Sequence, residues 1–380
     1  MAASGAGTGA ARSGRLPAWT DYALLPVLNL FAALVVSGIV ILLIGENPLS
    51  AMAVLVEGAF GYPEAIGFTL YYATNFIFTG LAVAVAFHCG LFNIGGEGQA
   101  MLGGLGVALV ALALDGWPWP AAALLGILAS ALFGAAWAFV PAVLQAKRGS
   151  HIVITTIMFN FIAASLMTWL LVDVMRPAGQ QSPETRGFPE STWLPSMQEA
   201  LATVGIPIPA SPLNVSFLWA LACGVLVYLF IWRTRWGYAI RTVGQNERAA
   251  VYAGISPARA IILAMAISGA LAGFVGFNEV LGVHHRLMLG FTNEAGFVGI
   301  AVALMGRNHP FGIVLAAILF GALYQGGSEL SFEFPSINRE MVVVIQGLVI
   351  LFAGALGNLF RPAVATLFRR AGRPAPAPAE

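Results

Sequence analysis

Long apolar runs separated by short polar breaks fill most of the chain, and their lengths predict helices that cross a bilayer. Spanning hydrocarbon takes ~20 predominantly apolar residues as a helix. Runs that meet this need are Tyr22 to Gly45, Ala65 to Phe87, Trp119 to Ala146, His151 to Val172, Ser216 to Trp232, Ala260 to Asn278 and Met341 to Phe360. Ala100 to Leu114, Phe291 to Met305 and Phe311 to Gly327 are shorter or broken by glycine. The pattern predicts an all-α polytopic membrane protein with about ten transmembrane helices.

One polar break stands inside this apolar frame. Phe92-Asn93-Ile94-Gly95-Gly96-Glu97-Gly98-Gln99 sets amides, a carboxylate and glycines between spans. Hydrocarbon satisfies no free N–H or C=O, so broken backbone at membrane depth survives only where it lines a cavity or is buried in protein. Phe92, Asn93, Glu97 and Gln99 are therefore candidates to line a transport path. Asn93, Glu97 and Gln99 either meet substrate or hold the broken backbone together. Asn160, Asn278 and Asn293, polar at span depth or at span ends, are further lining candidates.

The break has an echo. Gly96-Glu97-Gly98-Gln99 leads into Gly103 to Leu109, and Asn293-Glu294-Ala295-Gly296 leads into Val298 to Leu304. Each stretch then reaches a proline turn, Trp117-Pro118 or Asn308-His309-Pro310, and a helix rich in Gly and Ala. The first break follows an even-numbered span and the second an odd-numbered one, which predicts an inverted repeat with broken, pore-lining helices. Paired interrupted segments of this kind point to a transporter's substrate site, and they add Glu294 to the candidates. Gly103, Gly106, Gly126, Gly134, Gly312 and Gly321 suit close helix approach.

Composition agrees with the pattern. The 380 residues are 59% hydrophobic and only 9% charged, against about 25% charged in soluble domains. A net charge of +1 favours neither nucleic acid nor an acidic partner. Cys89 and Cys223 lie in apolar runs without a C-x-x-C pair, so no disulfide or metal framework is indicated.

Basic residues set the expected orientation. Arg12, Arg15, Lys147, Arg148, the cluster Arg233, Arg235, Arg241, Arg248 and Arg259, then Arg307, Arg361, Arg369, Arg370 and Arg373 fall on one face of a ten-span topology. Both termini are expected in the cytoplasm. Residues 1–21 and 361–380 are then tails, 22–360 the transmembrane domain, 173–215 an extracytoplasmic loop and 233–259 a cytoplasmic loop.

Uphill transport needs an ion relay or an ATPase. A P-loop requires lysine followed by Ser or Thr, but the single lysine, Lys147, precedes Arg148. ATP and Mg are therefore expected on a partner subunit, with no cofactor bound by this chain. In the loop after the sixth expected span, Gly244 to Ile255 predicts a short helix capped by Asn246 and stopped at Gly254. Ala249, Ala250 and Ala253 on it would fit a groove on a partner.

In order along the chain, Asn93-Ile94-Gly95-Gly96-Glu97-Gly98-Gln99, Gly244 to Ile255, and Gly299-Ile300-Ala301-Val302-Ala303-Leu304 resemble the permease subunit of an ABC importer. The family serves simple sugars, branched-chain amino acids and nucleosides, and the first motif is similar to its nucleoside branch. Val298 departs from the pattern, since relatives often carry a polar or acidic residue there. The resemblance implies a permease dimer, usually of two different chains, in membrane lipid. Cytoplasmic ABC ATPases sit beneath it, and an extracytoplasmic binding protein delivers substrate. It makes Gly244, Asn246, Ala249, Ala250 and Gly254 part of a coupling helix. No nucleic acid partner is implied.

Two alternatives stay open on the sequence: a permease for ribose or another simple sugar, and an ion-coupled secondary transporter using Glu97, Glu279 or Glu294. Enzyme motifs are lacking, since neither G-x-S-x-G nor H-E-x-x-H occurs and His284-His285 are adjacent.

Overall fold

A computed structural model describes residues 24–114 and 116–352, with Thr20, Pro362, Val364 and Thr366. Arg12, Arg15, Tyr22, Phe360, Arg361, Arg369, Arg370 and Arg373, and with them most of both expected tails, lie outside the described residues. Helices follow in the order α1 (Leu25–Ile44), α2 (Pro48–Phe60), α3 (Pro63–His88), α4 (Gly96–Ala113), α5 (Trp119–Arg148), α6 (Ile152–Trp169) and α7 (Met197–Ala202). Then come α8 (Ser216–Arg233), α9 (Arg235–Gln245), α10 (Glu247–Tyr252), α11 (Pro257–Gly276), α12 (Ala295–Met305), α13 (Pro310–Glu333) and α14 (Arg339–Ile350). Single π-helical turns extend α6 over Leu170–Val174 and α11 over Phe277–Leu281. Pro63, Pro257 and Pro310 open α3, α11 and α13, where the missing N–H has no intrahelical partner to lose.

Among the described residues seven helices are long and apolar enough to cross a membrane, or eight if Phe31–Ile44 and Pro48–Phe60 count as one broken span. Ten spans are not confirmed among the described residues. Phe291 to Met305 contains only the 11-residue α12, about half a bilayer at ~1.5 Å per residue. Of Met341 to Phe360, residues 341–350 lie in the 12-residue α14, and the residues after Phe352 are outside the described part. The sequence reading also missed α2, whose 13 residues are too few to stand out as a span.

By internal contacts the chain divides into two units, Met1–Pro48 with Val343–Glu380, and Leu49–Val342. In the first, α1 ends at Gly45 in the left-handed region, φ 99°, with its N–H on the Ile41 and Leu42 carbonyls. The second holds the candidate site.

Within the larger unit, α3 is 83% buried over its most apolar window, α4 and α11 72%, but α5 28% and α6 22%. The first three form the protein interior, while α5 and α6 turn apolar surface outward, as lipid-facing helices do. Packing is reciprocal: α11 lies chiefly on α5 and α4, and α3 on α13 and α12. Glycine allows the close approach. A Cβ at Gly103 would stand 2.3 Å from the Gly273 Cα, and one at Gly134 2.2 Å from the Gly269 oxygen. Gly312 and Gly321 are equally crowded by backbone, a Cβ at Gly106 would meet the Ala129 oxygen at 2.8 Å and the Phe133 ring at 2.9 Å, and Gly126 makes only ordinary contact.

Residues 173–215 form a cap tied to the segment that follows α11. Thr185 donates its N–H to the Leu287 carbonyl at 2.9 Å, Phe188 to His285 at 2.7 Å and Leu194 to Leu281 at 3.3 Å. Trp193 stacks on His285 with centroids 3.8 Å apart, and Arg286 pairs with Glu184 at 3.1 Å.

Candidate functional site

After α3 the chain turns back and begins α4 at Gly96. After α11 it turns back again and begins α12 at Ala295. These two helix starts meet. A Cβ at Gly296 would lie 2.2 Å from the Glu97 nitrogen, and one at Gly96 3.4 Å from the Gly296 oxygen, so backbone crosses backbone. From that crossing the helices run in opposite directions. The far end of α4 reaches the cap, where Arg186 Nη2 donates to the Leu112 carbonyl at 2.9 Å. The turn that ends α12 reaches the opposite end of α3, where His88 Nε2 lies 3.1 Å from the Asn308 carbonyl.

Glu97 joins the two breaks. Its Oε2 accepts the Gly296 N–H at 2.9 Å, and its Oε1 accepts the Thr292 hydroxyl. A carboxylate in the first turn of α4 thus caps the first turn of α12, where free N–H groups and the helix dipole favour negative charge. Beside it, Asn93 and Gln99 exchange amide hydrogen bonds at 3.0 and 3.2 Å. Asn93 Oδ1 also accepts the Gly95 N–H at 2.9 Å, and its Nδ2 reaches Ser268 Oγ on α11 at 2.9 Å. Asn160 on α6 accepts the Gly98 N–H and donates to the Ile94 carbonyl, both at 2.9 Å. Asn93, Glu97, Gln99 and Asn160 are all buried. Of the two roles open to the Asn93 to Gln99 side chains, holding the broken backbone together is the one their hydrogen bonds perform.

Other sequence candidates fall elsewhere. Asn293 and Glu294 are exposed, with φ of 45° and 60°, a left-handed pair uncommon for residues with a Cβ. Their side chains do not join the buried cluster; Asn293 Nδ2 turns back to the Phe291 carbonyl at 3.5 Å. Phe92 lies against Phe87 with centroids 5.3 Å apart. Phe291 is buried against Gly104 in the core.

Asn278 belongs to a second buried cluster, at the cap end. Its Nδ2 donates to Asn75 Oδ1 at 3.0 Å, while its Oδ1 accepts from Asn214 Nδ2 at 2.9 Å and from Ser216. The centre of this cluster is Glu279, fully buried on the π-helical turn. Tyr71 donates its hydroxyl to Glu279 at 2.7 Å, Asn75 donates its amide, and His284 Nε2 stands 3.3 Å away. The sequence reading missed Tyr71, Asn75, Thr292, Asn214, Ser216 and Ser268. Asn75, an amide within an otherwise apolar span, was the available signal for an intramembrane polar site.

On the opposite end, Asn246 caps α10 as expected, its Oδ1 accepting the Ala249 N–H at 3.0 Å. Gly254 stops the helix with φ 76°. The helix is shorter than the sequence suggests, six residues rather than about ten. Ala250 is buried. Its methyl faces the chain itself, so the surface open to a partner carries Ala249, Val251, Tyr252 and Ala253 instead.

Among the described residues no group of three or more His, Cys, Asp or Glu could hold a metal ion.

A family model described as branched-chain amino acid transport system, permease component, matches residues 65–354. The chain is 34% identical over 371 residues to a glucose ABC transporter permease protein of Haloferax volcanii, covering 96% of this chain and 95% of that one. It is 34% identical over 336 residues to a guanosine ABC transporter permease protein of Bacillus subtilis, covering 88% and 94%. It is 32% identical over 336 residues to a nucleoside ABC transporter permease protein of Lactococcus lactis, covering 88% and 91%. Each of the last two organisms has a second permease of the same named substrate that matches at 26%. No solved structure matches the chain. With a family match across most of its length and relatives above 30% identity over nearly all of it, this multi-pass membrane protein belongs to the branched-chain amino acid transport system permease family and is a transport subunit.

Proposed function

We propose that the chain forms half of the translocation path of an ATP-driven importer of nucleosides. The observation that carries this reading is the crossing of two oppositely directed helix starts, that of α4 and that of the short α12, at Glu97 and Gly296; broken helices meeting in this way are where alternating-access transporters build a central site. Reciprocal packing of α3 with α12 and α13, and of α11 with α4 and α5, supports treating the halves as inverted copies. Phe92, Asn93, Glu97, Gln99 and Asn160 border the path at the crossing, and Asn278 at the cap end, with Asn293 and Glu294 on the exposed turn before α12. Among the described residues no lysine or arginine hydrogen-bonds into either buried cluster, so a neutral, hydroxyl-rich substrate suits them and a phosphorylated nucleotide does not. The guanosine and nucleoside permeases among the relatives favour nucleosides.

The remaining parts follow the same reading. Residues 173–215 face the exterior and receive the binding protein, and residues 233–259 face the cytoplasm with both termini. The α10 surface docks into an ATPase that binds ATP and Mg. A second, different permease completes the path, as the paired permeases named for one substrate in two organisms suggest.

A simple sugar is the second reading, favoured by the glucose permease of Haloferax volcanii, whose match spans 96% of the chain. The deciding experiment reconstitutes the complete transporter with its binding protein and measures ATP hydrolysis. Stimulation by uridine, adenosine or guanosine supports the nucleoside reading. Stimulation by ribose or glucose alone moves the chain to the sugar branch, and uptake driven by an ion gradient without ATP overturns the importer itself.

A further inference from the structure

The turn that closes α3 and the end of α9 meet backbone against backbone. Gly90 stops α3 with φ 73°, its N–H on the Phe87 carbonyl at 2.9 Å, and Leu91 closes the turn onto Ala86 at 3.0 Å. Against that turn lies Gly244. A Cβ at Gly244 would stand 2.3 Å from the His88 oxygen and 2.8 Å from the Gly90 nitrogen, and one at Gly90 3.3 Å from the Gly244 Cα and oxygen. A side chain at such a contact could rotate away, but backbone cannot, so a shift of α9 must move the turn.

The same turn is a junction. The His88 ring meets Trp232 of α8 edge-on with centroids 5.1 Å apart, and its Nε2 holds the Asn308 carbonyl between α12 and α13. Trp232 in turn lies 5.2 Å from the His309 ring. Downstream, only Leu91 to Gly95 separate Gly90 from the Gly96–Gly296 crossing. Upstream, Asn246 caps α10 directly after α9 ends at Gln245.

We propose that Gly90 and Gly244 are positioning residues for transport: their contact carries a displacement of α9 and α10 into the Asn93 to Glu97 break and so sets the geometry of the crossing. This rests on the reading that α10 docks an ATPase. The covalent route from α10 through Ser256 into α11 is the competing path, and the two predict different responses.

Hydrogen exchange on the assembled transporter, with and without a non-hydrolysable ATP analogue, tests the route without any substitution. The expected result is a joint change in residues 88–99 and 240–246. A response in 240–246 and 257–276 that leaves 88–99 unchanged overturns the proposal. Failure of any ATPase to co-purify would instead remove the docking reading beneath it. A variant adds a second readout: in Gly244→Ala, stimulation of ATP hydrolysis by substrate, taken relative to that variant's own basal rate, should fall roughly tenfold. Gly149→Ala is the control, since Gly149 ends α5 in a comparable turn with φ 67° and nothing within 4 Å of its Cβ direction. Full stimulation in Gly244→Ala also overturns the proposal, and if that variant does not assemble, the exchange experiment decides.

Discussion

Glu97 and Gly296 lie far apart in sequence, yet the carboxylate of one accepts the N–H of the other at 2.9 Å, fastening the first turn of α4 to the first turn of α12. Removing the carboxylate leaves that N–H and the Thr292 hydroxyl without their partner. An orphaned buried group costs about 1–3 kcal/mol. Glu97→Ala should therefore lower the thermal unfolding midpoint in detergent and impair transport while membrane insertion persists. Glu97→Gln, which keeps one acceptor oxygen, should lose less on both counts.

The Glu279 cluster gives a graded series. Tyr71→Phe deletes one donor to the carboxylate, whereas Glu279→Ala strands both the Tyr71 hydroxyl and the Asn75 amide. Each orphaned donor adds about 1–3 kcal/mol, so Glu279→Ala should unfold at the lower temperature. Equal midpoints for the two variants would show that the carboxylate does not organise the cluster.

Glycine packing between α4, α5 and α11 predicts opposite outcomes for similar changes. Gly103→Ala drives a methyl into the Gly273 backbone and should cost about 1–3 kcal/mol as overpacking. Gly126→Ala meets only side-chain atoms at 3.4 Å and beyond, and it gains about 0.5–1 kcal/mol of helix preference. Unfolding midpoints of the two variants, measured side by side, check the contrast.

Acidity should loosen the cap. Burial pushes the His285 pKa down, aided by His284 and Arg286 and opposed by the Leu281 carbonyl and Glu199. Folding therefore favours the neutral ring. Its contribution is complete above the ordinary histidine value of about 6.5 and declines as pH falls below it, until the folded ring itself protonates. Hydrogen exchange in residues 185–194 should accelerate over that range, and His285→Gln should remove the dependence.

Two residues of α10 separate docking from folding. Tyr252 is 94% exposed and Ala250 fully buried. Tyr252→Ala should weaken ATPase co-purification, by about 2 kcal/mol if the ring anchors the contact, and leave stability unchanged. Ala250→Glu should unseat α10 and lower the unfolding temperature. If Tyr252→Ala retains full co-purification, the docking surface lies elsewhere.

Sequence by itself determined the solvent, the helical class and the unusual places. Apolar run length specifies a membrane helix because hydrocarbon accepts no unpaired backbone. The same rule made Asn93 to Gln99 conspicuous, since a polar break in such a run needs a special surrounding. Cap chemistry at Asn246 and Gly254 was legible because it depends on neighbours along the chain.

Tertiary structure decided what those groups face. That Glu97 reaches Gly296, that Asn278 joins Asn75 and Glu279 rather than Asn93, and that Ala250 turns inward all depend on contacts between distant segments. Apolar residues on every side of a helix carry no signal for which side is buried. Only the packed fold chooses the neighbours.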